Sequence, residues 1–414
     1  MGGGLIQLVA YGAQDLYLTG NPQITFFKVV YRRHTNFSIE AIEQIWDGLS
    51  TKPGKCVSTI SRNGDLINRM YLEIDGTVHD GESNPTANSI NSVELEIGGQ
   101  SIVTHSGLWM EVWSELTEKN PSGLSSYFDS KYNGTLYQNI SGMGGFRNGF
   151  QQSSYQHKFF VPLQFWFCRN VGLSLPLIAL QYHEVKVILD HRFGSNDNEL
   201  PFKTVDNNTL WCDFIYLDTD ERRRYAEVSH EYLIEQIQEQ ELKANKAGST
   251  ATSYLKFNHP IKELIWVNDK NWKDKHSLPV GTRGFLQRLA NLEGNNTEEL
   301  EYYLRLNGHD RFDKRDIRYF TRTQIWEHHT GPGGLAPGVN DQPNLGSLND
   351  SIGVYSFSLN PEDHQPSGTC NFSRLDEIEF IVEGTVDSSG SRIFGVNYNI
   401  LRIMSGMGGL AYAN

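Results

Sequence analysis

The stretch Val93-Glu94-Leu95-Glu96-Ile97-Gly98-Gly99-Gln100-Ser101-Ile102-Val103 carries the pattern that decides the fold. Val93, Leu95 and Ile97 alternate with Glu94 and Glu96, and successive side chains of a strand point to opposite faces. Such alternation marks an antiparallel sheet with one face in a core and the other toward water. Gly98-Gly99 supplies the positive φ values that a tight two-residue turn demands, and Gln100 to Val103 returns as the second strand. The stretch reads as a β-hairpin.

The pattern recurs. Tyr303-Leu304-Arg305-Leu306-Asn307-Gly308-His309 lies 209 residues on, measured from Leu95 to Leu304, and its Asn-Gly pair is the stronger turn signal. A second likeness joins His183-Glu184-Val185-Lys186-Val187-Ile188 to Asp376-Glu377-Ile378-Glu379-Phe380-Ile381, 193 residues apart. Each is preceded by a Phe-rich strand and a Pro-containing turn, Phe159 to Pro176 in one half and Tyr355 to Pro366 in the other. Because the order is kept, a duplication is expected.

Further strand signals are Leu66–Ile74, with Met70, Leu72 and Ile74 on one face, Lys158–Phe167, Trp211–Leu217 and Tyr232–Ile237. Pro162 marks an edge or a bulge. Ile24–Tyr31, behind the Asn21-Pro22 turn, is rich in β-branched and aromatic residues and is expected to be the first strand. Helical periodicity is confined to Leu108–Leu116, Asp220–Val228 and Asn296–Tyr302. Eight or so short strands per half, with turns between, indicate an all-β sandwich or jelly roll. The charged run Asp218–Tyr225 is the natural connector between halves. Asp75–Ala87, Pro121–Gln152 and Gly331–Asp350, rich in Gly, Asn, Ser and Pro, are expected as surface loops.

Composition agrees with two domains, since 414 residues exceed what one core usually organises. The net charge of −13 argues against direct nucleic-acid packaging, which rewards clustered Lys and Arg. Lys28, Arg32, Arg33 and His34, the most basic short run, read as a solvated strand end. Cys56, Cys168, Cys212 and Cys370 lack CxxC spacing, so zinc and thioredoxin-like sites are not expected. Cys168, within Phe165-Trp166-Phe167-Cys168, is expected to be a small buried hydrophobe and the compartment reducing. Neither a secretory signal nor an apolar run of membrane-spanning length is visible, so a soluble protein made in a cytosol is expected.

Catalytic patterns fail one by one. No His-x-His pair occurs among thirteen histidines, and adjacent His328-His329 would point to opposite faces of a strand. Glu298, Glu299, Glu301, Asp313 and Asp316 read as a solvated acidic face rather than a glycosidase pair. No G-x-S-x-G elbow or P-loop is present, and Gly142–Gly145 and Gly331–Gly334 read as loops. No enzyme, cofactor or metal is expected. Asn-x-Ser/Thr sequons stand at Asn36, Asn133, Asn139, Asn207, Asn295, Asn349 and Asn371. Asn36 and Asn371 sit in strand-like settings expected to be buried, which leaves Asn133, Asn139, Asn207, Asn295 and Asn349 as glycosylation candidates.

The amino terminus, Gly2 to Phe37, resembles that of the major capsid proteins of nucleocytoplasmic large DNA viruses, particularly the chlorovirus type that infects algae. The likeness continues at Ser61–Ile67, Val93–Gln100, Leu175–Val185, His230–Gln236, Phe257–Pro260, Gln365–Arg374 and Asn397–Asn414. It implies two consecutive eight-stranded antiparallel jelly-roll barrels with short helices in loops. The division would be an arm over 1–24, a first barrel over 25–218, a linker over 219–230 and a second barrel over 231–414. It further implies a late structural protein that forms homotrimeric, pseudo-hexagonal capsomers of an icosahedral virion shell, assembled in the host cytoplasm. Its partners would be neighbouring capsomers and minor capsid proteins beneath the shell, with the internal membrane reached only indirectly. Gly2, Gly3, Gly4, Leu5, Tyr11 and Tyr17 would belong to the docking arm, and outer loops would face host-surface glycans. The competing expectation, a carbohydrate-binding or carbohydrate-cleaving β-sandwich virion protein, rests on the 12% aromatic content, most of which core packing explains.

Overall fold

The computed structural model describes residues 3–10, 12–79, 82, 84–118, 136–143, 156–194, 201–243, 249–268, 300–331, 333, 350–384 and 391–412. The chain divides into two units, Met1–Asn36 and Phe37–Asn414. The first contains two short helices, α1 (Gly3–Val9) and α2 (Leu16–Thr19), and its described residues are exposed. Ile24–Tyr31 forms no strand, contrary to expectation. The propensity of that segment reflects the fit of its side chains to a half-buried pleated surface, and the described residues of this unit include no second strand to create one.

In the second unit the first half contains β1 (Phe37–Gln44), β2 (Asp47–Gly48), β3 (Gly54–Thr59), β4 (Leu66–Val78) and β5 (Ile90–Ile97). It continues with β6 (Gln100–Ser106), β7 (Gln156–Pro162), β8 (Leu175–Pro176), β9 (Val185–His191) and β10 (Phe202–Leu217). The second half contains β11 (His230–Glu241), β12 (Ser249–Tyr254), β13 (Pro260–Asn268), β14 (Leu300–Leu306) and β15 (His309–Asp316). After these come β16 (Ile352–Ser356), β17 (Cys370–Asn371), β18 (Ile378–Gly384), β19 (Ser391–Met404) and β20 (Met407–Leu410).

The sheets of the two halves have the same order. In the first half they run β1-β10-β4-β7 and β2-β3-β9-β5-β6, and in the second β11-β19-β13-β16 and β12-β18-β14-β15. Strand for strand, β1, β10, β4 and β7 correspond to β11, β19, β13 and β16. Likewise β3, β9, β5 and β6 correspond to β12, β18, β14 and β15. Even the two-residue strands match, since β8 pairs with β4 and β17 with β13. Each half is therefore an antiparallel jelly roll of two sheets that share four corresponding strands apiece, with β2 and β20 as additions, and the expected duplication is present in the topology.

The two hairpins show why. Gly98 and Gly99 take φ values of +59° and +83°, Asn307 and Gly308 of +48° and +77°. Both φ values of each turn are positive, as a turn matched to strand twist needs. Other expectations give way to local packing. Phe165–Phe167 is not strand: β7 ends at Pro162, and Trp166–Arg169 turns into a short helix that buries Trp166 and Phe167. Leu300–Tyr302 belongs to β14 rather than a helix, because Leu300, Tyr302 and Leu304 alternate into the second core. Asp75–Ala87 is not all loop: β4 runs to Val78, and α3 (Pro85–Ser89) is wholly buried.

Among the described residues the remaining α-helices are α4 (Gly107–Thr117), α5 (Leu136–Ser141), α6 (Trp166–Arg169), α7 (Thr219–Glu227) and α8 (Gln324–His328). In α7, the connector, Asp218 caps the first turn by accepting from Thr219 N at 2.8 Å, and Asp220 and Glu221 face the positive end of the helix dipole. Each barrel has its own core, but a third apolar cluster lies between them. There Leu108, Trp109, Val112, Trp113 and Leu116 of α4 pack on Ile265, Val267, Ile352, Val354, Phe394 and Val396 of the second barrel. Their spacing along the helix makes one apolar stripe.

Candidate assembly surface

The two barrels are joined by an edge contact and by buried charge. At the edge, β6 lies beside β11: Gln236 Nε2 donates to the Ile102 carbonyl at 2.5 Å, and Ser106 Oγ donates to Glu239 at 3.1 Å. Nearby, Leu410 N donates to Gln100 Oε1 at 3.2 Å, and His183 lies 2.9 Å from the Gly408 carbonyl. Ile234, Leu401 and Ile403 of the second barrel extend the first barrel's core.

The charged part of the junction is more unusual. Lys262 is 0% exposed and donates to Glu235 at 2.6 Å and to the Pro361 carbonyl at 2.5 Å. Arg169, from the first barrel, lies 2.8 Å from the other oxygen of Glu235 and sits 4.9 Å above the Trp113 ring. Burial alone would raise the Glu235 pKa, but Arg169 and Lys262 hold it below the usual carboxylate value. A few residues away, His329 is held between Glu263 and Glu362, each 3.1 Å from one ring nitrogen. Burial works against its charged form, yet the two carboxylates raise its pKa to about 9. Glu362 also accepts from Thr330 N and Oγ1, both at 2.8 Å.

These groups neutralise one another. Two cavities of ≈ 530 and ≈ 210 Å³ border the junction, and Glu362 lines both. Glu235 is committed to Arg169 and Lys262, and Glu362 to His329 and Thr330, so neither offers a basic oxygen to a substrate. Among the described residues no group of His, Cys, Asp and Glu could hold a metal ion. His328 turns away from His329, toward the Leu359 carbonyl at 3.0 Å. All four cysteines are free; Cys56 and Cys212 are buried, while Cys168 is only half-buried.

Residues picked from the sequence do not converge on a site. Asn207 is exposed in β10 opposite Asp75, and Asn139 is half-buried in α5. Asn133, Asn295 and Asn349 lie outside the described residues, as do Gly2 and Tyr11. Gly3, Gly4 and Leu5 lie in α1, and Tyr17 in α2 is 94% exposed. Asn36 and Asn371 are exposed, not buried as expected: Asn36 precedes β1 in irregular chain, and Asn371 uses its Oδ1 to cap Ser373 N at 3.1 Å. The loops Pro121–Gln152 and Gly331–Asp350 fall mostly outside the described residues. The charge cluster was not anticipated, although Lys262-Glu263 inside the otherwise apolar run Ile261–Val267 was its visible signal.

Among the described residues the barrels expose strand edges and projecting aromatics. β1 exposes its first five residues, and Ile39 is 49% exposed. Seven of the eight residues of β15 are exposed, and Trp326 in α8 is 82% exposed. The outer face of the β1-β10-β4-β7 sheet presents Trp211 stacked on Tyr71 at 6.4 Å, with Phe160 beyond at 6.2 Å.

Two antiparallel barrels of one design, joined through a shared apolar cluster and an ion pair between Arg169 and Glu235, define the double jelly-roll class of fold. Residues 25–218 match the family described as major capsid protein N-terminus, and residues 221–409 that of the large eukaryotic DNA virus major capsid protein. The major capsid protein of Pyramimonas orientalis virus is 45% identical, and that of Paramecium bursaria Chlorella virus 1 is 38% identical, each alignment covering 100% of both chains. A quasi-atomic model of the PBCV-1 virus capsid superposes with a TM-score of 0.74 at 33% identity, over 94% of this chain and 100% of that one. The Faustovirus major capsid protein shares the fold, with a TM-score of 0.64 at 12% identity over 95% and 94% of the chains. The chain belongs to the major capsid proteins of large eukaryotic DNA viruses, and its place is the virion capsid. These relatives are named as capsid proteins and none as a carbohydrate-binding or carbohydrate-cleaving protein, so that alternative has no support.

Proposed function

We propose that three copies of the chain associate into a capsomer of hexagonal outline that tiles an icosahedral shell. The duplication carries this reading. A ring of three identical subunits has only three-fold symmetry, but two similar barrels per subunit present six comparable flanks to the neighbouring capsomers. Residues 25–218 and 231–414 act as the tiling barrels, 219–230 as their linker and 1–24 as an arm. The arm, through Gly2, Gly3, Gly4, Leu5, Tyr11 and Tyr17, docks on minor capsid proteins beneath the shell. Asn133, Asn139, Asn207, Asn295 and Asn349 are the positions proposed to carry glycans, and outer loops to meet host-surface glycans. Assembly takes place in the host cytoplasm, and the acidic chain leaves nucleic acid to other proteins. Light scattering on the purified protein tests the trimer: three times 47.0 kDa, about 141 kDa, is expected. A monomeric mass across micromolar concentrations contradicts it.

A further inference from the structure

Asparagine is thermolabile, most of all before glycine, where no side chain shields the next amide nitrogen. The chain has four Asn-Gly steps, at Asn63, Asn133, Asn148 and Asn307. Asn133 and Asn148 lie outside the described residues. Asn63 and Asn307 are both exposed, so exposure does not separate them; their hydrogen bonds do. At the second hairpin Asn307 Oδ1 accepts from Asp376 N at 2.9 Å and from Glu377 N at 3.0 Å. Asn307 N donates to the Glu377 carbonyl at 2.8 Å. That carboxamide is pinned to the chain entering β18. Among the described residues, neither the Asn63 carboxamide nor the Gly64 N–H has a hydrogen-bond partner.

The residues on either side of Asn63-Gly64 are, by contrast, firmly held. Ser61 donates from N and Oγ to Gln44 Oε1 at 2.9 and 2.8 Å. Arg62 donates to the carbonyls of Leu180, Gln181 and His183 at 2.6, 2.8 and 3.2 Å. Beyond the step, Asp65 is buried, accepts from Leu217 N at 2.9 Å and lies 3.0 Å from Arg222 of the linker helix α7. Position 64 has room for glycine alone, since a Cβ there would come within 2.7 Å of Phe214 Cβ. The packing that excludes a side chain therefore also leaves the amide nitrogen unshielded.

We infer that Asn63-Gly64 is a site of spontaneous deamidation, and that its isoaspartyl product loosens the tie between the first barrel and the linker helix. The Gly64 nitrogen attacks Asn63 Cγ and gives up its proton. The bond from Cγ to the amide nitrogen breaks, and ammonia departs to leave a succinimide ring. Water then adds to one of the two ring carbonyls. Opening at Cγ gives aspartate; opening at the main-chain carbon gives isoaspartate, whose backbone runs through Cγ and is one atom longer. Phe214 blocks the chain at Gly64, so the added length between Arg62 and Asp65 displaces an anchor. Arg62 is held by three carbonyls, and the hold that gives way is that of Asp65 on Leu217 and Arg222. At Asn307 the same attack requires the carboxamide to surrender two hydrogen bonds, which slows it about 30-fold at the usual net strength of such bonds.

The test incubates the full-length protein in mildly alkaline buffer below its melting temperature and maps it over time by peptide mass spectrometry. The Asn63 peptide is expected to gain about 1 Da, part of it as isoaspartate detected by enzymatic methylation. It should do so about 30-fold faster than the Asn307 peptide, and in the denatured chain the two should react at similar rates. Asn63→Gln should block the gain without changing the initial Tm, because the position is exposed and its φ is not positive. Aged beside that variant, the wild type should lose Tm and exchange hydrogen faster in α7. Asn63→Asp, which adds the charge without the backbone atom, should lose less. Equal native rates at Asn63 and Asn307, or an Asn63 that stays intact while the denatured chain converts, overturn the site. Isoaspartate at position 63 with unchanged Tm and α7 exchange overturns its coupling to the linker.

Discussion

Removing the negative charge of Glu235 should destabilise the protein far more than removing Lys262, although the two face each other at 2.6 Å. In Glu235→Gln, Lys262 stays at 0% exposure with no counter-charge, and Arg169 loses its partner at 2.8 Å. Breaking a buried pair from one side costs about 3–5 kcal/mol because an uncompensated charge remains. Lys262→Met leaves Glu235 paired with Arg169, so a loss of about 1–2 kcal/mol is expected, in the range of a hydrogen bond to a charged group. The double variant Glu235→Gln/Lys262→Met buries no orphaned lysine, and Arg169, itself partly exposed, can turn toward water. It should fall only about 1–2 kcal/mol below wild type, which makes the two losses non-additive by at least about 2 kcal/mol. With roughly 2.1 cal/mol/K of unfolding entropy per residue, the Glu235→Gln loss corresponds to a Tm drop of roughly 4–6 °C if both barrels melt together. Differential scanning calorimetry of the four proteins measures this. Strict additivity, or a Glu235→Gln variant within about 0.5 kcal/mol of wild type, would refute the reasoning.

Stability should also fall on the alkaline side. The His329 pKa is raised from 6.5 to about 9 in the folded state, so its contribution is full below pH 6.5 and disappears as pH rises through about 9. Its size is on the order of 3 kcal/mol; Tm measured from pH 6 to 10 should drop in wild type and flatten in His329→Gln. Glu362, held below its ordinary 4.5 chiefly by His329 against the opposing effect of burial, gives the opposite limb, present above pH 4.5 and lost as pH falls through the folded value. At the first hairpin, a Cβ on Gly98 would come within 2.2 Å of His183 Nδ1, whereas one on Gly99 meets nothing within 4 Å. Gly99→Ala should therefore cost only the positive-φ strain, about 1 kcal/mol, and Gly98→Ala at least twice that, read from urea midpoints. Denatured in an alkylating reagent without reductant, the protein should take up four equivalents, because all four thiols are free; fewer would indicate a disulfide.

The fold was legible where one face of a strand is buried and the other is not. Val93–Ile97 and Tyr303–Leu306 carry their alternation in the open, and the Gly-Gly and Asn-Gly turns fix their register. Ile24–Tyr31 has stronger β-propensity than either and forms no strand, because propensity cannot supply a neighbour to pair with. Phe165–Phe167 misled for the same reason, since an apolar run does not reveal whether it is buried as strand or as helix. The junction was least visible. Arg169, Glu235, Lys262, Glu263, His329 and Glu362 are scattered over almost 200 residues, and each alone reads as a surface charge. Folding of the second barrel brings the last five together, and Arg169 joins them from the first. Lys262-Glu263, inside an apolar strand, was the one local hint that charge would be buried.

Three chains of two similar barrels each are proposed to build a six-barrel capsomer. Cryo-electron microscopy of the purified capsomer, at a resolution that shows side chains, tests it most directly. Three chains with a hexagonal outline are expected, the first and second barrels alternating around the ring. A particle of one or two chains, or one of three-lobed outline, would contradict it.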